Sequence, residues 1–429
     1  MTFSSIKAPK LRFPGFTGDW QKSSLSTFVD PNRKITYGIV QPGTFVEEGV
    51  PLVRGGDYST GWVSLSEIKR VAPEIDAPYQ RSKLRSGDLL MTIVGANTGT
   101  IASVPDWLEG ANITQTTARI AVHGPTADKG FILQCLKSHI GVSEVRKYVK
   151  GAAQPGLNLS DIENFDIPAP TVSEQKKIAS FLGAIDKRGA QLITQRSLLE
   201  DFKKGCIQQL FSQEIRFKND EGGDFPDWKE KSLGDVFTWV RTNSFSRNHL
   251  TDVGGEVQNI HYGDIHTKFH SNFRQSDEEV PFVKGARAAD VPENEKCRLG
   301  DVVIADASED YADIGKAIEI VELSATPLLA GLHTFIARPV PGALALGFSG
   351  YLLRTPAMRK QIMRIAQGIS VLGLSKGNLE KLTIQLPHPD EQKKIAKFLS
   401  SIDIKISLVS EELKHAQTFK KGLLQQMFI

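Results

Sequence analysis

Three histidines stand close together in the stretch HYGDIHTKFH: His261, His266 and His270. At spacings of five and four residues they form a cluster whose imidazoles could gather around a metal ion. Aspartate and glycine interrupt the stretch, and neither spacing matches a zinc-ligand pattern. The better reading is a polar loop that touches phosphate or base edges. Other polar loops offer the same chemistry. RGGDYSTGW carries Arg54, TIVGANTGT carries Thr92, Asn97 and Thr98, and NITQTT carries Gln115. In the second half, NIHYGDIHTK supplies His266 and Lys268, and AGLHTF supplies His333. Side chains of these types hydrogen-bond base edges and phosphates, and neighbouring glycines let backbone come close to a phosphate. These residues are the candidate DNA contacts, and their chemistry is recognition rather than bond breaking.

Catalytic signatures are missing. There is no GxxxxGK[ST] phosphate loop, no GxGxxG after a strand, and no HExxH, GxSxG or kinase motif set. An NPPY-like adenine methyltransferase motif is missing as well. Cys135, Cys206 and Cys297 stand far apart without a CxxC, which argues against a disulfide framework or a structural zinc and fits a reducing compartment.

Two long helical stretches must position these loops. One reads PTVSEQKKIASFLGAIDK from Pro170, and the other PHPDEQKKIAKFLSSIDIK from Pro387, 217 residues later. Each closes with FKKG, then QQ and a phenylalanine: Phe202 to Phe211, and Phe419 to Phe428. Ile178, Ile185, Leu192, Leu199 and Cys206 recur every seven residues in the first copy, as do Ile395, Ile402, Val409, Ala416 and Leu423 in the second. Sustained heptads predict a coiled coil. Its expected form is antiparallel, which would put the globular parts at opposite ends of a rod of roughly 60 Å. Ser173 and Asp390 are the expected helix caps. Phe181, Phe202, Phe398 and Phe419 fall outside the seam. Either partner proteins or the preceding domains would cover them.

The repeat reaches beyond the helices. Trp20 precedes Leu25 by five residues, and Trp228 precedes Leu233 by the same interval. Gly151, Gly156, Leu157, Glu163 and Ile167 are matched by Gly368, Gly373, Leu374, Glu380 and Ile384. Short apolar runs such as GDLLMTIV and GDVVIADA follow Gly87-Asp88 and Gly300-Asp301 and read as strands after turns. EVQNIHYGDI is expected to be another strand run, and Lys129–Lys150 and Leu346–Ile365 are expected to be helical. The expected fold is α+β, with an internal pseudo-two-fold repeat of two β-rich domains and two long helices. The boundaries are 1–167 and 214–386 for the domains, and 168–213 and 387–429 for the helices. The helices match closely while the domain interiors diverge, which is how one frame would carry two different reading faces.

Composition sets the outer bounds. The chain has 429 residues, 40% hydrophobic and 24% charged, with 52 basic and 49 acidic side chains for a net charge of +3. That balance allows opposed basic and acidic faces without demanding nucleic acid. The opening MTFSSIKAPKLRFPGF has no signal-peptide core, and no apolar run reaches membrane-spanning length. A cytoplasmic location without membrane contact is expected.

The sequence resembles the specificity subunits of type I restriction-modification enzymes. The resemblance is carried by LRFPGFTGDW at Leu11–Trp20, QPGLNLSDIENFDIPAP at Gln154–Pro170, FPDWKEKSLGDVF, and EQKKIA-x-FL at Glu174 and Glu391. It implies two target recognition domains, each reading one half of a bipartite asymmetric site in double-stranded DNA. It implies that the coiled coil is the ruler between them. The implied partners are two methylation subunits and two restriction or motor subunits, to which S-adenosylmethionine, ATP and magnesium belong. This chain would hold no cofactor, no metal and no catalytic residue. Position by position, Gln154-Pro155-Gly156-Leu157-Asn158 matches a family element, which adds Gln154 and Asn158 to the DNA-contact candidates. Ser370 and Ser375 stand at the corresponding place in the second half. The residues alone leave two other readings open: a coiled-coil scaffold without DNA contact, and a self-contained nuclease or methyltransferase.

Overall fold

The computed structural model describes residues 4–151 and 153–429; Met1, Thr2 and Phe3 of the opening stretch, and Ala152 of the Gly151–Asn158 loop, lie outside them. The chain forms two compact units, Met1–Ile193 with Glu411–Ile429, and Thr194–Ser410. Each long helix, Val172–Phe211 and Pro389–Met427, therefore contributes one part to each unit.

In the first unit an antiparallel sheet runs in the order Thr36–Tyr37, Thr117–Ile120, Leu89–Thr92, Ile101–Ser103. Beside it are Arg70–Val71, Val50–Val53 and Asn112–Ile113, the last pair parallel. The second unit has a five-stranded sheet: Phe237–Val240, Thr334–Pro339, Val302–Ala305, Ala317–Glu322 and Asn272–Arg274. The central strand in each case follows the expected Gly-Asp turn. Gly87 and Gly300 sit at φ 78° and 82°, where only glycine is unstrained. Asp88 and Asp301 each accept a backbone N–H three residues back, from Arg85 and Arg298, both at 2.8 Å.

Four sequence expectations differ from the structure. Lys129–Lys150 breaks into Lys129–Lys137 and His139–Tyr148, because Ser138 caps the second helix by accepting from Ile140 N. Leu346–Ile365 likewise becomes Ser349–Leu352 and Pro356–Ile365, divided where Thr355 caps and Pro356 cannot donate. After the strand Gln258–Ile260, the run HYGDIH forms the helix Tyr262–Thr267, capped by the His261 ring. The long helices also begin earlier than Ser173 and Asp390 suggest. Thr171 O accepts from Gln175 N, and Pro389 opens the second helix, with His388 O accepting from Gln392 N.

The EQKKIA motif has a physical explanation in each unit. Glu174, in the first helical turn, takes a bidentate pair from Arg12 at 2.7 and 2.8 Å. Glu391 takes the same pair from Arg216 at 3.1 and 2.8 Å, and also accepts from Trp228 Nε1. The glutamine that follows ties the helix to its preceding domain. Gln175 accepts from Asp128 N and donates to Pro170 O, as Gln392 does with Ala345 N and Pro387 O. Of the motif lysines, Lys177 lies over the Phe13 ring and Lys394 donates to Lys218 O.

The far ends of the helices close the units in matching ways. In the first unit Phe428 packs on Phe131 and Trp20, with ring centroids 5.5 and 6.3 Å apart. In the second, Phe211 packs on Phe348 and Trp228 at 5.5 and 6.2 Å. Ile178 and Leu182 share one core with Leu423 and Met427. Leu210 shares the other with Ile395, Leu399 and Ile402. Asp186 pairs with Lys420 in the first unit and Lys203 with Asp403 in the second. The 217-residue repeat maps one ion pair onto the other with the helices exchanged.

Glu319 of the second unit is buried and accepts from Gly347 N and Gly350 N at 2.6 and 2.8 Å. Burial outweighs those bonds and pushes its carboxyl up to about 7 from 4.5. An acid whose folded pKa is raised stabilises the fold while protonated. That stabilisation is complete below the unfolded value and is lost as pH climbs toward 7. The unfolding free energy of the second unit, read by denaturant titration, should therefore fall between pH 4.5 and 7 by the order of 3 kcal/mol. Glu319→Gln should flatten that slope; an unchanged slope would assign it to another group.

Candidate nucleic-acid interface

In the first unit the polar loops meet at the end of strand Leu89–Thr92. Thr92 is buried and its hydroxyl bonds Tyr58 OH at 2.9 Å. Gly55 lies so close that a Cβ there would stand 2.6 Å from Thr92 Oγ1, which brings the Arg54 turn alongside. Ile93 N donates to Thr116 O, Leu157 N to Ile93 O, and Gly95 N to Pro155 O. Four segments quoted from the sequence are thus gathered: those around Arg54, Asn97, Gln115 and Gln154.

The gathered side chains divide by role. Asn97, Gln115 and Gln154 are exposed and form no side-chain hydrogen bond with the described residues. Arg54 is half-exposed and held by Asp57 at 3.0 Å. Asn158 is exposed at the start of the helix Leu159–Glu163, where Asp161 accepts from its N–H. Two candidates are corrected. Thr92 is sealed in the core beneath Tyr58. Thr98 spends its hydroxyl on Gly95 O and Pro155 O, at 2.6 and 3.0 Å, and so positions the loop rather than reading a base.

In the second unit the Tyr262 ring is the hub. His261, His333 and His266 surround it at centroid distances of 4.6, 5.4 and 5.7 Å. His333 is exposed, and Asp306 lies 3.3 Å from its Nδ1. It holds φ at 59°, an uncommon conformation for a non-glycine residue. His266 is half-buried; burial lowers its pKa and favours the neutral ring, while Lys316 donates to its carbonyl. Lys268 is exposed and shares Asp264 with Arg247. Leu374 N donates to Asp306 O, which brings the Ser370–Ser375 segment to this cluster. Ser370 is exposed, and Ser375 caps the helix Lys376–Glu380. Tyr262 and Asp306 are the participants that residue types alone did not single out.

Of the three histidines that opened the question of a metal, two lie against the Tyr262 ring and the third pairs elsewhere. His261 caps a helix, His266 lies beside Tyr262, and His270 bonds Glu278 at 2.8 Å. Among the described residues no group of three or more His, Cys, Asp or Glu side chains is placed to hold a metal ion. Nor is any described helix long and apolar enough to cross a membrane.

The four phenylalanines separate cleanly. Phe181 packs on Phe13 and Phe398 on Phe217, at 5.5 and 5.7 Å, so their own units occupy them and they are withdrawn as partner contacts. Phe202 and Phe419, at corresponding places in the two helices, remain 56% and 58% exposed.

A family model described as the type I restriction modification DNA specificity domain matches residues 85–199 and again 293–417, together more than half of the chain. The specificity subunit of the Escherichia coli type I restriction enzyme EcoBI is 34% identical over 160 residues, 37% of this chain. That match spans a third of the relative's length (33%). The specificity subunit of the MjaVIII enzyme from Methanocaldococcus jannaschii is 24% identical over 351 residues, covering 80% of this chain and 78% of its own. Among solved structures, the S subunit of a type I restriction-modification system from M. genitalium aligns with a TM-score of 0.62 at 16% identity. The alignment covers 98% of this chain and 99% of that one. A chain from a structural study of type I R-M complex assembly and conformational transition aligns with a TM-score of 0.53 at 18% identity. It covers 98% of this chain and 99% of that one.

Proposed function

Because the chain belongs to the type I restriction modification DNA specificity family, we propose that it is the recognition subunit of such a complex. In this reading each unit's polar loop cluster reads one half of a bipartite, asymmetric site in double-stranded DNA. The observation that carries it is the repeat itself: one frame, matched down to single hydrogen bonds, holds two clusters with different side chains. The first offers Arg54, Asn97, Gln115, Gln154 and Asn158; the second offers His266, Lys268, His333, Ser370 and Ser375. Amides suit adenine edges and cations suit guanine and phosphate. The helices would form an antiparallel coiled coil that sets the interval between half-sites. The chain would perform no chemistry and hold no cofactor. S-adenosylmethionine, ATP and magnesium would belong to two methylation and two restriction subunits. The setting would be cytoplasmic. The domains read from sequence, 1–167 and 214–386, would be the two readers.

Exposed Phe202 and Phe419 are offered to the methylation subunits, since two equivalent aromatic anchors suit two equivalent partners. Co-expression with a methylation subunit tests this: Phe202→Ser with Phe419→Ser should lose co-purification while keeping the melting temperature. Wild-type-like co-purification of the double variant would remove these anchors from the interface. The retained wild-type complex should enrich specific sequences from randomised duplex. A complex that binds every duplex alike would favour the scaffold reading.

A further inference from the structure

The hairpin between Gln367 and Gly373 presents apolar side chains where its counterpart presents an amide. Gln367 and Gly373 exchange two backbone hydrogen bonds of 3.0 and 2.7 Å, as Lys150 and Gly156 do at 3.0 and 2.9 Å in the first unit. Gly368 holds φ at 128°, and a Cβ there would stand 2.0 Å from Val371 O. The second hairpin is rooted in the recognition cluster, because Gly373 pairs with Ala307 and Leu374 N bonds Asp306 O. From that base it carries Ile369, 102% exposed, and Val371, 57% exposed. Val371 takes the place of Gln154, and in sequence Ile369 takes the place of Ala152. The cluster at its base holds His333, with Asp306 3.3 Å from Nδ1, and exposed Lys268, so polar and cationic side chains belong to the cluster from which the tip rises. Such a base suits the phosphates of a duplex, and an apolar tip rising from it suits the one apolar feature of the major-groove edge, the thymine methyl group.

We propose that Ile369, with Val371 beside it, is a specificity-determining contact that packs on the C5 methyl of a thymine in the half-site read by the second unit. This rests on the DNA-reading role proposed above. The test uses the full chain assembled with methylation subunits and the duplex it selects. Each thymine of that half-site is replaced singly by deoxyuridine, which removes only the methyl. One replacement should weaken wild-type binding roughly fourfold, the value of one buried methyl group. Ile369→Ser should bind the thymine and deoxyuridine duplexes equally while responding normally to changes in the other half-site. Val371→Ser should show part of the same loss. Both side chains are exposed, so the fold should tolerate the changes, and unchanged melting checks this. Three results would overturn the contact: a half-site without thymine, no sensitive position, or full sensitivity in Ile369→Ser. A selection that yields no sequence at all would instead contradict the DNA-reading role, and the contact with it.

Discussion

Exchanging residues 25–157 for the matching segment of another specificity subunit is expected to change one half of the bound DNA site and leave the other half as it was. The exchanged segment carries Arg54, Asn97, Gln115 and Gln154 together with the strand end that gathers them. It leaves Trp20, Phe165 and the whole of both long helices in place. Phe131 must be retained, because Phe428 packs on it and so closes the first unit. Each lost base contact is worth about 1–3 kcal/mol, so two or three together should lower affinity for the original duplex by about 10²-fold or more. Binding to duplexes altered in one half or the other measures this. A change of preference in both halves would contradict two independent readers.

Glu391→Ala is expected to have the largest effect on stability, a loss of about 3 kcal/mol, the low end for breaking a buried pair because Arg216 keeps some contact with water. Glu391 is fully buried at the start of its helix. Its removal takes from Arg216 its buried carboxylate partner and strips Trp228 Nε1 of its acceptor. Arg216 keeps its bonds to Phe225 O and Pro226 O and a 3.8 Å pair with the fully exposed Asp227, which together offset only part of the loss. Equilibrium unfolding in denaturant, read by tryptophan fluorescence, should show the second unit melting early. Glu391→Gln, which keeps acceptor and shape, should recover part of the loss. A midpoint within experimental error of wild type would mean that the ion pair only decorates the joint.

The frame was legible from the chain because the same physical task is performed twice. EQ at Glu174-Gln175 and Glu391-Gln392 recurs since each glutamate anchors an arginine and each glutamine ties the helix to the preceding domain. Gly87 and Gly300 recur since each turn needs a positive φ. The site was legible only as a set of loops. That Thr92 is sealed under Tyr58, and that Thr98 staples its loop to Pro155 O, depends on partners 34 and 57 residues away. Phe181 looked as free as Phe202 because its cover, Phe13, belongs to a distant segment. The Tyr262 cluster was hidden for another reason: a short helix follows the strand Gln258–Ile260 where the strand run was expected to continue, and His261 and His266 come to lie against one ring.

The central claim is that one chain carries two separate readers on a fixed frame, and site selection tests it most directly. The full chain assembled with its methylation subunits is incubated with randomised duplex, and the bound molecules are sequenced. Two short, unlike motifs separated by a gap of constant length and no sequence preference are the predicted result. A single contiguous motif, or two motifs at freely varying separation, would contradict it.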